Sequence, residues 1–202
     1  LRADDKDQKK DTDAEYTLTV SFRLKEDMSW ADAGHEVAFG QKIYKKIPAF
    51  HASEKPIRVV HGKVNIGVKG EDFDCLFSML SGGLVSYRYA GKEMIEKIPM
   101  PNFWRAPVDN DNGSMAPARY AQWKIASMYI SHRNGGMFDN VPTKVEEKDN
   151  TVTVTYTYFM PTTPASKCQV AYTVFGDGTI ETKLMYDPVE GLPDMPEFGM
   201  MF

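Results

Sequence analysis

Asn102-Phe103-Trp104-Arg105-Ala106-Pro107-Val108-Asp109-Asn110-Asp111-Asn112-Gly113 is the stretch on which the reading of the chain turns. Two adjacent aromatics lead into an arginine, a proline-fixed backbone, two carboxylates and a closing glycine. Pro107 lacks a backbone donor and pushes Ala106 out of the helical region. The Asp/Asn run favours turns, because short polar side chains bond neighbouring backbone groups. The stretch therefore reads as a loop, with two uses open to it. It is either an Arg–Asp network that holds a long connection in place or a ligand-facing loop on a β scaffold. An arginine fork can bridge a carboxylate and backbone carbonyls at once. Phe103 and Trp104 point to opposite sides of an extended segment, so at least one should enter the core. The expectation is that Phe103, Trp104 and Arg105 anchor the loop. Arg105 should be largely buried against Asp109, Asp111 or loop carbonyls. Gly113 should release the constraint through a positive φ, leaving residues 113–118 more exposed.

The same string, FWRAPVDNDNG, resembles the F-x-R-A-P-x-D-N-D-x-G signature of large bacterial β-galactosidases of glycoside hydrolase family 2. In that family it lies near the start of the last domain, a broad β-sandwich of the galactose-mutarotase type. Trp30-Ala31-Asp32-Ala33-Gly34-His35-Glu36-Val37-Ala38-Phe39-Gly40-Gln41 resembles, in turn, the W-A-x-x-G-H-x-V-A-x-x-Q stretch closing the preceding immunoglobulin-like domain. The resemblance implies an all-β fold with one short helix. Residues 1–46 would be closing strands of an immunoglobulin-like sandwich, 47–56 a linker, and 57–202 the N-terminal part of a large antiparallel supersandwich of small-chain type. It implies that the full protein hydrolyses terminal β-D-galactosides with retention, through two glutamates of a barrel domain outside this chain. No catalytic or metal-binding residue is then expected here. The magnesium and sodium cations of the family would be held elsewhere. The resemblance makes Asp109, Asn110, Asp111, Asn112, Gly113 and Ser114 a substrate-proximal loop. Its implied partners are the barrel domain and remaining sandwich of the same polypeptide, a β-galactoside, and further copies in a homo-oligomer. The rival reading is a free-standing carbohydrate-binding β-sandwich without catalysis, and a third is a purely structural module.

Composition sets the outer bounds. At 202 residues the chain can hold one large or two small domains, and 42 % apolar residues suffice for a core. No segment approaches the length of a membrane helix, and no charged-then-apolar leader is visible. A net charge of −4 argues against nucleic acid or an anionic membrane as partner. Cys75 and Cys168 sit in strand-like apolar patterns and read as buried free thiols, not as a disulfide framework. The composition fits either the cytoplasm or the periplasm of a bacterium.

Along the chain, residues 1–14 are almost wholly polar and read as a solvated segment. Tyr16, Leu18, Val20, Phe22 and Leu24 alternate with polar residues, the pattern of a half-buried strand. Val64, Ile66 and Val68, then Phe73, Cys75, Phe77 and Met79, then Leu84, Val85, Tyr87 and Tyr89 form a meander punctuated by glycine turns. Ser114 can cap a helix with Pro117 in its first turn, and Tyr120, Trp123 and Ser127 share a face with Ala116. Trp123 is a core residue on that pattern, or alternatively a platform for a sugar ring. Val152, Val154, Tyr156 and Tyr158 form a strand. Val170, Tyr172 and Val174 pair through Gly176-Asp177-Gly178 with Ile180, Thr182 and Leu184. Gly199-Met200-Met201-Phe202 begins a further strand. A sandwich cut there is expected to expose the inner face of its first sheet.

Several constellations fall away. Asp109-x-Asp111-x-Gly113 starts like a calcium loop, but its fifth position is glycine and its twelfth is Tyr120. Asp109 and Asp111 stand too close in sequence to flank a glycosidic bond from two sides. Asn112-Gly113-Ser114 matches a glycosylation acceptor that matters only in a eukaryotic secretory setting. His35 has no ligand-spaced partner and reads as structural.

Overall fold

A computed structural model describes residues 16–45, 53, 55–133 and 143–202. The polar opening and most of the proposed linker therefore lie outside the described residues. The chain divides into two units, residues 1–51 and 52–202.

In the first unit, β1 (Tyr16–Arg23) pairs antiparallel with β2 (Glu36–Lys45). Between them, Leu24 N–H donates to His35 O and Gly34 N–H to Leu24 O. The His35 ring meets Trp30 edge-on at 5.5 Å. The alternation in β1 does form a strand, and its apolar face is only partly covered: Tyr16, Val20 and Leu24 are half-buried, while Leu18 is 44 % and Phe22 62 % exposed. Two strands supply no second layer, so nothing described within the unit covers that face.

The second unit is a two-layer β structure. β3 (Arg58–His61), β4 (Asn65–Lys69), β5 (Phe73–Ser78), β6 (Gly83–Tyr89) and β7 (Lys92–Glu93) form an antiparallel meander in chain order. After β8 (Met100–Asn102) come three short helices, α1 (Asp109–Gly113), α2 (Ala116–Arg119) and α3 (Ala121–Tyr129). A second sheet follows, built from β9 (Lys144–Lys148), β10 (Thr151–Met160), β11 (Ser166–Val174) and β12 (Ile180–Tyr186) in the order β12-β11-β10-β9. Last, β13 (Gly199–Met201) pairs with β8, Met200 opposite Pro101.

The reason for this layering is visible in β10. Every second residue from Val152 to Met160 is buried, while Thr151, Thr153, Thr155 and Thr157 lie on the half-covered outer face. The inner face packs on Ile66, Val68, Cys75 and Phe77 of the first sheet, all at most 3 % exposed. The expected bare inner face of the first sheet is thus not observed, because β10 and β11 cover it. Buried tyrosines stitch the layers together. Tyr156 donates to Gly83 O, Tyr158 to Gly82 O, and Tyr172 to Pro99 O. An unmade hydrogen bond at such a depth would cost about 1–3 kcal/mol, so each hydroxyl fixes the register of the carbonyl it reaches. Cys75 and Cys168 are buried free thiols. Burial pushes both up to about 12, which keeps them protonated and unreactive.

Gly82 carries a left-handed φ of +72° at the β5–β6 turn, and a Cβ there would land 2.2 Å from His132 Nδ1. Arg133 reaches the same turn, donating from Nη2 to Leu80 O. These two residues, just after α3, therefore clasp the hairpin.

A loop clamped by Arg105 and Asp111

The stretch from Asn102 to Tyr120 begins in the core and ends on the surface. Phe103 is fully buried, with its ring centroid 5.9 Å from Trp123 and 6.3 Å from Phe198. Its N–H donates to Ser127 Oγ at 2.8 Å, and that hydroxyl donates to Trp123 O. The side chain of Asn102 clasps the next residues: Nδ2 donates to Trp104 O at 2.8 Å. Trp104 is half-buried. Trp123 is 1 % exposed and donates through Nε1 to Pro193 O at 2.9 Å. It is therefore core, and not available as a flat sugar platform.

Arg105 forks onto Asp111, Nη1 to Oδ2 at 2.6 Å and Nη2 to Oδ1 at 3.0 Å. Nη1 also reaches Ala106 O at 3.3 Å. The same carboxylate accepts from Val108 N–H at 2.9 Å. Arg105's fork, then the Val108 amide, hold the Asp111 carboxyl below the usual carboxylate range. The Arg105 side chain is nevertheless 43 % exposed, so the expected deep burial is not observed. The guanidinium stays near the surface because its partner Asp111 sits in an otherwise exposed turn.

That turn is helical. Asp111 is the third residue of α1 and bonds back to the N–H of the residue before it, which satisfies a free donor at the helix start. Asp109 and Asp111 also place negative charge in the first turn, where the helix end is positive. Ser114, expected to cap a following helix, instead ends α1 and donates from Oγ to Asp111 O. The left-handed residue is Met115, at φ 56° and ψ 25°, and not Gly113. The expected single helix is thus two short pieces, α2 and α3, with Pro117 in the first turn of α2, and α1 is a further helical turn inside the stretch expected to be a loop. Within 113–118, Ala116 is buried and Pro117 half-covered, while 113–115 and Ala118 are exposed.

Of the residues singled out in the sequence, the structure brings Arg105 to Asp111 and Phe103 into the core. Asp109 stays apart from Arg105 and, like Asn110 and Asn112, has no side-chain hydrogen bond among the described residues; all three are exposed. The loop therefore offers one free carboxylate and two carboxamides on a base fixed at both ends. Such a surface can accept and donate hydrogen bonds to a polyol. It presents no nucleophile paired with a proton donor. Asn102, Met115 and Ser127 were not singled out for these roles. Asn102 could have been, since an asparagine two residues before a bulky one commonly bonds the local backbone. Among the described residues no three of His, Cys, Asp and Glu converge on a point that could hold a metal ion.

Comparison with known proteins adds the following. A family described as beta galactosidase small chain matches residues 69–202, and one described as beta-galactosidase, domain 4, matches residues 2–44. A beta-galactosidase of Clostridium acetobutylicum is 42 % identical over 190 residues, covering 93 % of this chain and 20 % of the relative. One from Halalkalibacterium halodurans is 42 % identical over 193 residues, 93 % of this chain and 18 % of the relative. A beta-galactosidase small subunit of Latilactobacillus sakei is 36 % identical over 162 residues, 74 % of this chain and 51 % of the relative. The chain thus spans about a fifth of the length of the first two relatives.

Proposed function

The chain belongs to the beta-galactosidase small-chain family, and from that premise we propose that it is a non-catalytic portion of a retaining β-galactosidase. In this reading it supports a barrel active site built elsewhere in the enzyme. It also lends the loop from Asp109 to Ser114 to the surroundings of a terminal β-D-galactoside. The observation that carries the finer part is the Arg105–Asp111 clamp. It holds α1 rigidly to a core-anchored segment while leaving Asp109, Asn110 and Asn112 without side-chain partners among the described residues. A sugar presents vicinal hydroxyls that need both donors and acceptors, and preorganised groups bind them without an ordering cost. The relative named a small subunit supports a region that can associate with the rest of such an enzyme as a separate chain.

Among the described residues no three of His, Cys, Asp and Glu come together, and on this reading the cations of the enzyme are held by residues outside this chain. Nucleophile and general acid belong to the barrel on this reading. The part played here is positional: to fix one rim of the sugar site and exclude water from it.

The test is kinetic. In the full-length polypeptide that carries this chain, Asn110→Ala and Asn112→Ala should each raise KM for a chromogenic β-galactoside. Removing a single hydrogen bond of this kind is worth about 0.5–1.5 kcal/mol, a several-fold change. Unchanged KM and kcat in the double variant would remove the loop from the sugar site.

A further inference from the structure

Two asparagines of the chain stand directly before a glycine, Asn112 and Asn134, and only the first lies among the described residues. In such a pair the glycine nitrogen can attack the asparagine's own side-chain carbonyl carbon, because no Cβ crowds the five-membered ring that forms. Asn112 and Gly113 are both exposed, and no side-chain hydrogen bond among the described residues holds the Asn112 carboxamide away. A Cβ built on Gly113 would meet nothing within 4 Å, and its φ is not left-handed. The glycine is thus required neither by packing nor by backbone conformation, and no neighbour shields the reacting atoms.

What opposes the reaction is α1. Asn112 N–H donates to Val108 O at 3.0 Å and Ser114 N–H to Asn110 O at 3.1 Å, so the pair sits inside a hydrogen-bonded turn. A helical ψ of about −42° turns the following nitrogen away from the side chain, so ring closure needs the turn to open. Asp-Asn-Asp-Asn-Gly has little propensity of its own for a helix. The turn is held instead by Asp111, the residue just before the reacting pair, through the Arg105 fork and the Val108 amide. A short surface turn held in this way opens far more readily than the core beneath it.

We propose that Asn112 is a self-modification site, converted to aspartate or isoaspartate through Gly113, and that the Arg105–Asp111 clamp holds the conversion back. Gly113 N bonds to Asn112 Cγ, the Cγ–Nδ2 bond breaks, and the amide proton leaves with that nitrogen as ammonia. Solvent water then opens the ring. Attack at Cγ restores the main chain and leaves aspartate, while attack at the main-chain carbonyl leaves isoaspartate. One water is consumed, one ammonia is released, and nothing is oxidised or reduced. Either product adds a carboxylate beside Asp109 and Asp111 and removes the donor of the carboxamide. Isoaspartate also lengthens the main chain by one carbon, which breaks the hydrogen-bond spacing of α1. The consequence for a substrate rests on the function proposed above: a loop that lines the sugar site would lose a hydrogen bond there.

The test is peptide mapping of the full-length polypeptide that carries this chain, aged at neutral pH, with aspartate and isoaspartate at position 112 resolved by chromatography and mass. Conversion at Asn112 is expected, and more slowly than in the same polypeptide unfolded in urea. Arg105→Ala should accelerate it roughly two- to fivefold, the range left by removing an exposed ion pair. Arg105→Lys keeps the charge, loses the fork and should fall between. Gly113→Ala, which meets no neighbour, should stop the conversion. Slow amide exchange at Val154 and Val170 in the same samples shows that the acceleration is local, and where Arg105→Ala loses it, Arg105→Lys decides. No conversion at Asn112 with Gly113 present, a folded rate equal to the unfolded one, or equal rates with and without the fork would each overturn the proposal. KM for a chromogenic β-galactoside is read separately on the aged sample, where a several-fold rise is expected. An unchanged KM in converted protein would sink the placement of the loop at the sugar site and leave the modification standing.

Discussion

Asp111 accepts three hydrogen bonds, two from the Arg105 fork and one from Val108 N–H. Replacing it by asparagine keeps the shape, but its amide group would face the guanidinium with donors. Asp111→Asn should therefore release α1 while leaving the buried core untouched. The expected outcome is an unchanged melting temperature for the isolated chain and faster amide exchange at Val108. The pH dependence follows from the direction of the shift. The folded carboxyl titrates below its ordinary value of 3.8, so its contribution is present above that value and lost as pH falls through the lowered one. The protection factor at Val108, followed by NMR against pH, should hold down to 3.8 and fall only below it. Loss of protection beginning well above 3.8 would contradict the clamp.

The β5–β6 turn tests the account at the level of an element. Gly82→Ala would force a Cβ into a left-handed position and into the His132 ring. The combined backbone and overpacking terms amount to roughly 2–4 kcal/mol, measurable by urea unfolding. His132 is held below its ordinary value first by burial and then by the Arg133 charge. A histidine so depressed contributes stability above 6.5 that is lost as pH falls through its lowered value. The protection factor of the Gly82 N–H, bonded to Ser78 O, should thus fall on acidification below 6.5, and His132→Gln should abolish that dependence. Elements differed in how plainly the sequence announced them. β10 and β11 alternate over most of their length, broken only by Phe159 and Ala171 on the outer face and Ser166 on the inner, so their strand character and inner face could be read directly. In β2, Ala38 and Gly40 weaken the alternation, while β3, β8 and β9 are too short or too charged to show a period. α1 was illegible for a different reason. Asp-Asn-Asp-Asn-Gly has poor helix propensity, and its turn forms because Asp111 meets Val108 N–H and Arg105, contacts that exist only once the loop is folded.

For the whole molecule, the two sheets of residues 52–202 cover each other's inner faces. That predicts a single cooperative thermal transition for this unit. The exposed Leu18, Phe22 and Phe39 of the first unit are the surface expected to bind a hydrophobic dye. Truncating the chain to 52–202 should remove most of that dye signal while keeping the transition. At this scale the all-β character was legible because strand periods dominate. The exposure of β1 was not, since alternation tells which residues share a face but not whether a second layer covers it. The central claim is that this chain is a supporting portion of a β-galactosidase and holds no catalytic pair of its own. It is tested most directly by hydrolysis of a chromogenic β-galactoside, measured on the 202-residue chain alone and on the full-length polypeptide that contains it. The account predicts no turnover above buffer for the chain and clear turnover for the full polypeptide. Turnover that co-purifies with the chain alone through two columns, or an inactive full-length polypeptide, would contradict it.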